Sequence, residues 1–249
     1  MKTTGNTMLI TGGTSGIGLG LALAFHQAGN TVIVAGRRKD RLDAIVAEND
    51  GIVALELDVS DPASIASAYQ TVTTTYPQLN VLVNMAGIML PENLLDPGHL
   101  SVAEATVTTN LLGPIRMLAA FTPFLAGQDD AVIMNVSSGL AFVPLPITPT
   151  YNATKAAIHS LTQSLRIQLA GSGVEVLELV PPAVQTDLMG QNDDERAMPL
   201  PDYLAEVMTI LRTRPDEQEI LVENVKFLRF AEVNGSYDGV LAVLSGGRR

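Results

Sequence analysis

Residues 8–18 read Met-Leu-Ile-Thr-Gly-Gly-Thr-Ser-Gly-Ile-Gly and lead from an apolar segment through a glycine-rich turn into an amphipathic one. Glycines at these positions let a backbone approach a pyrophosphate, and the free N–H groups that begin a helix stabilise its charge. The pattern predicts a nucleotide-binding strand–turn–helix, although a tight turn without a ligand is the alternative. No Lys-Ser or Lys-Thr follows, which disfavours an ATPase phosphate loop. The residues predicted to contact the nucleotide here are Gly12, Thr14, Ser15, Gly16, Ile17 and Gly18.

Short apolar runs rich in β-branched residues recur along the rest of the chain. Uniformly apolar strands are typical of a parallel sheet covered on both faces, and the intervening segments are long enough for crossover helices. The sequence therefore predicts a single doubly wound, Rossmann-type α/β domain over residues 1–249, with a parallel sheet of about seven strands. The strands are predicted at 8–10, 31–35, 53–57, 81–84, 131–136, 174–180 and 220–222, and crossover helices at 18–27 and 65–75.

The composition narrows the class of protein. The chain has 249 residues, of which 47% are hydrophobic and 16% charged, and this excludes a largely disordered protein. A formal charge of -11 argues against a nucleic-acid partner, which requires a basic surface. No apolar run approaches the roughly 18 residues of a membrane span. We therefore expect a cytoplasmic protein with neither a membrane nor a nucleic acid as its partner.

Cysteine and histidine, two common metal ligands, are absent and rare respectively. The chain has no cysteine, which excludes disulfides and thiolate catalysis. Its three histidines, His26, His99 and His159, are far apart in sequence and lack ligand-like spacing. The sequence accordingly predicts no metal site.

A basic turn follows the second predicted strand, where a dinucleotide enzyme meets the adenosine ribose. The turn reads Gly36-Arg37-Arg38-Lys39. An acidic group there would pair with a free 2′-hydroxyl, whereas a cation pairs with a 2′-phosphate. Arg37 and Arg38 therefore favour NADP(H) over NAD(H), the alternative being an ordinary solvated basic turn.

Three residues in the second half of the chain suit acid–base chemistry. If Tyr151 opens a helix that continues to Ala170, Lys155 lies one turn later on the same face. A phenol with a pKa of about 10 needs a downward shift of about 2–3 units to work near neutrality. Lys155 and an oxidised nicotinamide would together supply that shift, and the Ser138 hydroxyl would stabilise charge on a carbonyl oxygen. A surface Tyr–Lys pair and a simple strand-ending turn are the alternatives.

Taken together, these motifs resemble the short-chain dehydrogenase/reductase family from Thr7 to Leu188. They are Thr11-Gly12-x-x-x-Gly16-x-Gly18, Asp58-Val59, Asn84-x-Ala86-Gly87, Asn110, Ser138 and Tyr151-x-x-x-Lys155, in the family's order. The resemblance implies that Tyr151 is the proton donor in reduction and that Lys155 lowers the pKa of that phenol. It also implies that Ser138 orients the carbonyl and that Asn110 holds a water of the proton relay.

The same resemblance assigns the cofactor contacts and the assembly. Asp58 and Val59 would flank the adenine, and Tyr151 and Lys155 would contact the cofactor as well as the substrate. Asn84, Ala86 and Gly87 would line the cofactor channel, and Pro181, Val184 and Thr186 would belong to the loop over the nicotinamide. By analogy with the family, we expect a homodimer or homotetramer.

Two of the chain's departures from the family pattern, Met85 and Pro182, concern the cofactor side of the site. Met85 stands where many relatives have a second Asn, a change expected to affect sheet packing more than chemistry. Pro182 follows Pro181 where the family usually has Gly. Because a proline fixes φ and removes an N–H, we expect a stiffer loop over the nicotinamide.

The substrate side is expected to be apolar. Residues 187–201 break the strand–helix alternation and are predicted to form a long mobile loop over the substrate. An apolar pocket favours a hydrophobic ketone or aldehyde, although the same side chains could simply pack the loop onto the core. The predicted substrate contacts are Ser138, Leu140, Phe142, Pro182, Leu188, Met189 and Met198.

The combined prediction is an NADPH-dependent carbonyl reductase, or an alcohol dehydrogenase in the reverse direction, acting on a small-molecule carbonyl or alcohol. Two alternatives use the same fold. One is a non-catalytic NADP(H)-binding sensor, and the other is a sugar-nucleotide epimerase or dehydratase. The latter usually has a larger C-terminal substrate domain than this chain can house.

Overall fold

The computed structural model describes residues 1–246 and contains one seven-stranded sheet in which every paired strand is parallel. The spatial order is β3-β2-β1-β4-β5-β6-β7. The prediction of a doubly wound α/β sheet with seven strands is therefore confirmed, while residues 247–249 of the predicted domain lie outside the described residues. The strands are β1 (Thr7–Thr11), β2 (Thr31–Gly36), β3 (Val53–Glu56), β4 (Val81–Asn84), β5 (Val132–Val136), β6 (Glu175–Leu179) and β7 (Glu219–Ile220).

The strand order reverses between β1 and β4, which are neighbours in the sheet although far apart in sequence. In an open α/β sheet the crossovers on either side of such a reversal leave a crevice at the carboxyl ends of the strands. The fold thus places the glycine-rich turn after β1 beside the segment after β4.

Helices cover both faces of the sheet. They are α1 (Gly16–Gln27), α2 (Lys39–Glu48), α3 (Pro62–Thr75), α4 (His99–Val107), α5 (Gly113–Leu125), α6 (Pro149–Gln168), α7 (Leu200–Thr213), α8 (Lys226–Arg229) and α9 (Tyr237–Leu244). Side chains of α1, α2 and α7 pack on one face, and those of α3, α5 and α6 pack on the other. Within residues 1–246, no helix combines the length and the apolar character needed to cross a membrane.

Two helix ends follow from the sequence. Gly29, with φ +89, comes just after α1, where a left-handed residue closes a helix and glycine has no steric cost. At the start of α3 the Asp61 side chain accepts a hydrogen bond from Ala63 N at 2.9 Å, and Pro62 occupies the first turn. The start of α6 differs from the prediction, because this helix begins at Pro149 rather than Tyr151 and ends at Gln168.

The segment predicted as a long loop over 187–201 is more ordered than expected. It contains a short helical turn at Leu188–Asp193, and α7 already begins at Leu200. The backbone of Met198 donates to Ala183 O and accepts from Gln185 N, both at 2.9 Å, which joins the segment to the residues that follow β6. The prediction of an irregular loop as far as Pro201 was therefore wrong for its last residues.

Candidate active site

The turn after β1 is locked against the segment after β4. The Thr11 hydroxyl accepts hydrogen bonds from Met85 N at 3.0 Å and Ala86 N at 3.1 Å, and it donates to Val83 O at 3.2 Å. Gly12 has φ +67, and a Cβ there would lie 2.7 Å from the Ala86 Cα. Only glycine fits such a position. The resulting cradle, open at the start of α1, has the shape that a pyrophosphate requires.

A cleft of about 350 Å³ extends from this cradle along the carboxyl ends of the strands. The structure brings most of the predicted cofactor residues together in its walls, namely Gly12, Thr14, Ser15, Gly16, Ile17, Gly18, Arg37, Arg38, Asp58, Val59, Ala86, Gly87 and Thr186. Sequence reasoning missed Thr11, Leu57, Met85, Ile88, Thr109 and Asp187 in the same walls. Three of these six, Thr11, Leu57 and Met85, end or directly follow a strand, and that position in the sequence could have indicated them.

Asn84 does not line this cleft, contrary to the prediction. Its side chain lies inside the sheet, where Nδ2 donates to the Asn135 Oδ1 at 2.9 Å, and the two residues are paired in register between β4 and β5. Asn135 in turn donates to the Thr162 hydroxyl at 3.0 Å. Asn84 therefore joins two strands to α6 instead of contacting the cleft.

One end of the cleft is positively charged. The Arg38 guanidinium donates to the Thr14 hydroxyl at 2.9 Å and to the Ser15 hydroxyl at 3.1 Å, so it faces the glycine-rich turn. Arg37 lies close enough to Asp58 to help lower the pKa of that carboxyl. Burial alone would raise the pKa of Asp58, but hydrogen bonds from Ser60, aided by Arg37, outweigh burial and hold it below its usual value.

Tyr151, Lys155 and Ser138 meet near the other end of the cleft. All three are buried, and the Lys155 Nζ lies 5.6 Å from the centre of the Tyr151 ring. The same Nζ donates to Val136 O at the end of β5, at 2.7 Å. The Ser138 Oγ accepts from Leu140 N at 3.1 Å, and its own O–H can still donate to a neighbouring oxygen. These three residues are thus arranged for proton donation and for binding a carbonyl oxygen.

Burial shifts the pKa values of the pair in opposite directions. It raises the pKa of Tyr151 to about 12, and a hydrogen bond with Ser138 opposes that shift. It lowers the pKa of Lys155 to about 8, and the negative charge of Glu178 opposes that shift. We predicted that Lys155 would lower the pKa of Tyr151. The side chains alone do not produce that result, because burial dominates and the ammonium is bonded to the Val136 carbonyl.

Asn110 lies in a π-helical turn, Thr108–Leu112, between α4 and α5. Such turns redirect side chains and are frequent at functional sites. Its Oδ1 accepts from Ile88 N and its Nδ2 donates to Ile88 O, both at 2.8 Å. The side chain therefore fixes the backbone of Ile88 in the cleft wall, and its role in holding a water stays a prediction.

A second cavity, of about 540 Å³, begins where the cleft ends. Ser138 and Tyr151 line both this cavity and a narrow space of about 90 Å³ that shares residues with the cleft. Pro181, Val184 and Lys155 line that narrow space. Of the predicted substrate contacts, Ser138, Leu140, Pro182 and Leu188 line the large cavity. Sequence reasoning missed the apolar residues Met89, Leu145, Ala183, Phe227, Leu228, Val243 and Leu244 and the polar residues Gln191, Asp194, Arg196 and Asn224.

Three predicted substrate contacts lie elsewhere. The Phe142 ring packs edge-on against His159, with ring centres 4.7 Å apart, and beneath the Arg229 guanidinium at 4.5 Å. Met198 is buried in the core that covers one sheet face. Its side chain therefore packs the 187–201 segment onto the core, which was the alternative to substrate contact. Met189, with φ +57, is not part of the cavity wall. The predictions for Phe142, Met189 and Met198 were therefore wrong as cavity contacts.

A cluster of polar side chains behind Ser138 was also missed. Glu178, on β6, is fully buried and accepts hydrogen bonds from the Ser137 hydroxyl and from the His159 Nδ1, which lies 3.0 and 2.9 Å from its two oxygens. Next to it, Glu219 is paired with Arg229 through two hydrogen bonds of 2.6 and 3.0 Å. Burial alone would raise the pKa of Glu219, but Arg229 outweighs burial and lowers it. Four elements contribute to the cluster, so sequence spacing gave no signal.

Comparison with known proteins agrees with this geometry. The family model described as short chain dehydrogenase matches residues 6–197. An oxidoreductase of uncharacterized activity from Bacillus subtilis, named DltE, is 39% identical over 244 residues, which is 96% of each chain.

Solved structures share the fold over most of the chain. A short-chain dehydrogenase from Burkholderia cenocepacia in complex with NADP has a TM-score of 0.82 and 25% identity, covering 98% of this chain and 99% of its own. A 3-ketoacyl-(acyl-carrier-protein) reductase from Brucella melitensis complexed with NADH has a TM-score of 0.76 and 31% identity, covering 86% of this chain and 93% of its own.

Proposed function

Since this chain belongs to the short-chain dehydrogenase family, we propose that it is an NADPH-dependent carbonyl reductase acting on a hydrophobic ketone or aldehyde. The observation that carries the proposal is the position of Tyr151 and Ser138. They lie where a cleft shaped for a dinucleotide meets a larger cavity whose wall is mostly apolar, with Gln191, Asp194, Arg196 and Asn224 as its polar part. A carbonyl in that cavity would have a proton donor on one side and the reactive end of the cofactor on the other. The same site would oxidise an alcohol in the reverse direction.

The roles of the side chains follow from their geometry. The Ser138 hydroxyl would donate a hydrogen bond to the carbonyl oxygen, in place of its hydrogen bond with Tyr151, and stabilise the negative charge that develops there. Tyr151 donates the proton that completes reduction, acting as general acid. Held by the glycine-rich turn and Arg38, a bound NADPH would supply the hydride, and the positive charge of its oxidised form would favour the Tyr151 phenolate.

Lys155 and Asn110 support this chemistry by binding the cofactor and by fixing the wall of the cleft. The ammonium of Lys155, anchored on Val136 O, faces the space that the nicotinamide ribose would occupy. Asn110 keeps Ile88 in the wall of the cleft. Pro181, Val184 and Thr186 would close over the nicotinamide, because all three line the narrow space beside Tyr151.

The preference for NADP(H) rests on Arg37 and Arg38. Arg38 already bonds to the hydroxyls of the glycine-rich turn, and its planar guanidinium suits a 2′-phosphate. Both the Burkholderia structure with NADP and the Brucella structure with NADH resemble this chain, so the choice must be made by these side chains rather than by the fold.

The shape and lining of the large cavity support a bulky apolar substrate. Side chains of α8 and α9, including Phe227 and Leu228, form one wall, and the segment at 188–194 forms another. We expect the cytoplasm as the location and a homodimer or homotetramer as the assembly. Ile115 on α5 and Leu100 on α4 expose apolar side chains that support association, and sedimentation velocity measures it.

NADPH consumption with a panel of ketones tests the proposal. A reductase consumes one NADPH for each alcohol formed. A cofactor-binding sensor would bind NADPH without consuming it, and an epimerase or dehydratase would convert its substrate with no net change in the cofactor. Either of those outcomes would contradict the proposal.

A further inference from the structure

The first turn of α6 carries Tyr151, and its backbone needs hydrogen-bond partners from outside the helix. The helix begins at Pro149, so Tyr151 is its third residue. The N–H groups of a first turn have no acceptor within the helix, and helix ends fray where nothing else binds them. The position of the Tyr151 phenol therefore depends on what holds the start of α6.

The residue just before the helix does not supply a side-chain cap. Thr148 is the N-cap, and its side chain accepts no hydrogen bond from the first turn. Its hydroxyl instead lies 3.4 Å from both Leu145 O and Asn152 Oδ1. Because Pro149 has no N–H, Thr150 is the first residue of the helix whose N–H needs an acceptor.

Glu92 provides that acceptor. Its Oε1 accepts a hydrogen bond from Thr150 N at 3.0 Å, and its Oε2 accepts one from the Thr150 hydroxyl at 2.7 Å. The backbone N–H of Glu92 also donates to Ile147 O at 2.9 Å, so main chain and side chain both join the two segments. A carboxylate beside a helix N-terminus is further favoured by the helix dipole. The cap of α6 thus comes from a residue 58 positions earlier in the chain.

The segment that carries Glu92 also forms walls of the site. It runs between β4 and α4. Ile88 of this segment lines the cofactor cleft, and Met89 lines the large cavity. Asn110 fixes the segment at Ile88, and the contact of Glu92 with Thr150 fixes it three residues further on. Glu92 therefore connects the walls of both spaces to the residue next to Tyr151.

We propose that Glu92 is a positioning residue of the active site, whose carboxylate caps the first turn of α6 and so holds the Tyr151 phenol within reach of a bound carbonyl. Its effect on turnover rests on the proposed function, whereas the position of the phenol can be observed without turnover. Lys155 lies one turn further into α6 and bonds to Val136 O, so its position does not depend on the cap. Losing the cap should disturb proton donation and preserve NADPH binding.

Fluorine NMR of the protein labelled with fluorinated tyrosine reports on the phenol directly. The chain has five tyrosines, and the signal that disappears in Tyr151→Phe identifies the one of interest. Glu92→Ala should shift or broaden that signal and leave the other tyrosines unchanged. Glu104→Ala removes an exposed carboxylate from α4 and is the matched control, which should change none of them. An unchanged Tyr151 signal in folded Glu92→Ala would overturn the proposal.

Turnover gives a second readout. Glu92→Ala should lower kcat by about tenfold, because a helix cap stabilises the first turn by about that factor, and it should leave the KM for NADPH unchanged. Glu92→Gln keeps the size and an acceptor oxygen for Thr150 N, so it should retain most of the activity. Lower thermal stability with an unchanged kcat would indicate a merely structural role and contradict the proposal. A loss confined to bulky ketones would also contradict it, since Glu92 would then act through the Met89 wall.

A second variant covers the case in which Glu92→Ala does not fold. Thr150→Val removes the hydroxyl that donates to the Glu92 Oε2 and keeps the backbone N–H. It should alter the Tyr151 signal less than Glu92→Ala does, and adding it to Glu92→Ala should change little, because both substitutions break one contact. An unchanged signal in Thr150→Val, or additive effects of the two substitutions, would overturn the proposal. Absence of NADPH consumption by the wild type would count against the proposed function alone.

Discussion

Replacing Lys155 with methionine should make the protein more stable and abolish its activity. The Lys155 side chain is buried, and burial lowers its pKa from 10.5 to about 8. A shift of that size means that keeping this lysine charged costs about 3 kcal/mol of folding free energy. Methionine has a similar length, fills the same space and carries no charge.

One interaction lost in Lys155→Met reduces the gain. The Lys155 Nζ donates to Val136 O at 2.7 Å, and leaving that buried carbonyl without a donor costs about 1 kcal/mol. The net expectation at neutral pH is that Lys155→Met unfolds with a free energy about 2 kcal/mol higher than the wild type.

The sign of the pH dependence is fixed by the direction of the pKa shift. Between about pH 8 and 10.5 the unfolded chain binds more protons at Lys155 than the folded chain does, so wild-type stability rises with pH in that window. The advantage of Lys155→Met is complete below about pH 8 and is lost as pH rises towards 10.5. Urea unfolding of both proteins from neutral to alkaline pH measures the difference.

Two results would refute this reasoning. A Lys155→Met protein that is less stable than the wild type at neutral pH would show that the ammonium stabilises the fold. A stability difference that does not vary with pH would show that Lys155 does not titrate in the window that its burial implies.

Three further perturbations test the two ends of the site. Arg38→Asp should lower kcat/KM for NADPH by about 10- to 100-fold without lowering it for NADH, because a charge-assisted hydrogen bond to phosphate is lost. Arg41→Asp, on the exposed side of α2, is the matched control, and equal effects of both substitutions would contradict the assignment. Gly12→Ala should weaken NADPH binding measured by calorimetry, since its Cβ would lie 2.7 Å from the Ala86 Cα. An unchanged affinity would show that the glycine-rich turn does not hold the pyrophosphate. Leu140→Trp should reduce the large cavity and lower kcat/KM for bulky ketones more than for small ones; a uniform change would place the substrate elsewhere.

The parts of the site set by local sequence could be predicted. The glycine-rich turn follows from one strand–turn–helix segment, and the four-residue spacing of Tyr151 and Lys155 follows from the period of one helix. The positive φ of Gly12 and its contact with Ala86 give the physical reason for that glycine. Such features depend on few neighbours, so a single sequence reveals them.

Features that depend on tertiary packing could not be predicted. Phe142 and Met198 have suitable chemistry for a substrate pocket, but their side chains pack against α8 and the sheet core instead. The direction of the Tyr151 pKa shift depends on burial, which spacing does not report. Glu178 looked like part of an ordinary strand because its partners come from other elements.

The most direct test of the central claim is the rate of NADPH oxidation by the wild type and by Tyr151→Phe with the best ketone of a panel. The account predicts stoichiometric conversion of ketone to alcohol by the wild type. It also predicts a loss of at least about 100-fold in kcat for Tyr151→Phe, with NADPH affinity preserved. Turnover that survives in Tyr151→Phe would show that another group donates the proton, and would contradict the account.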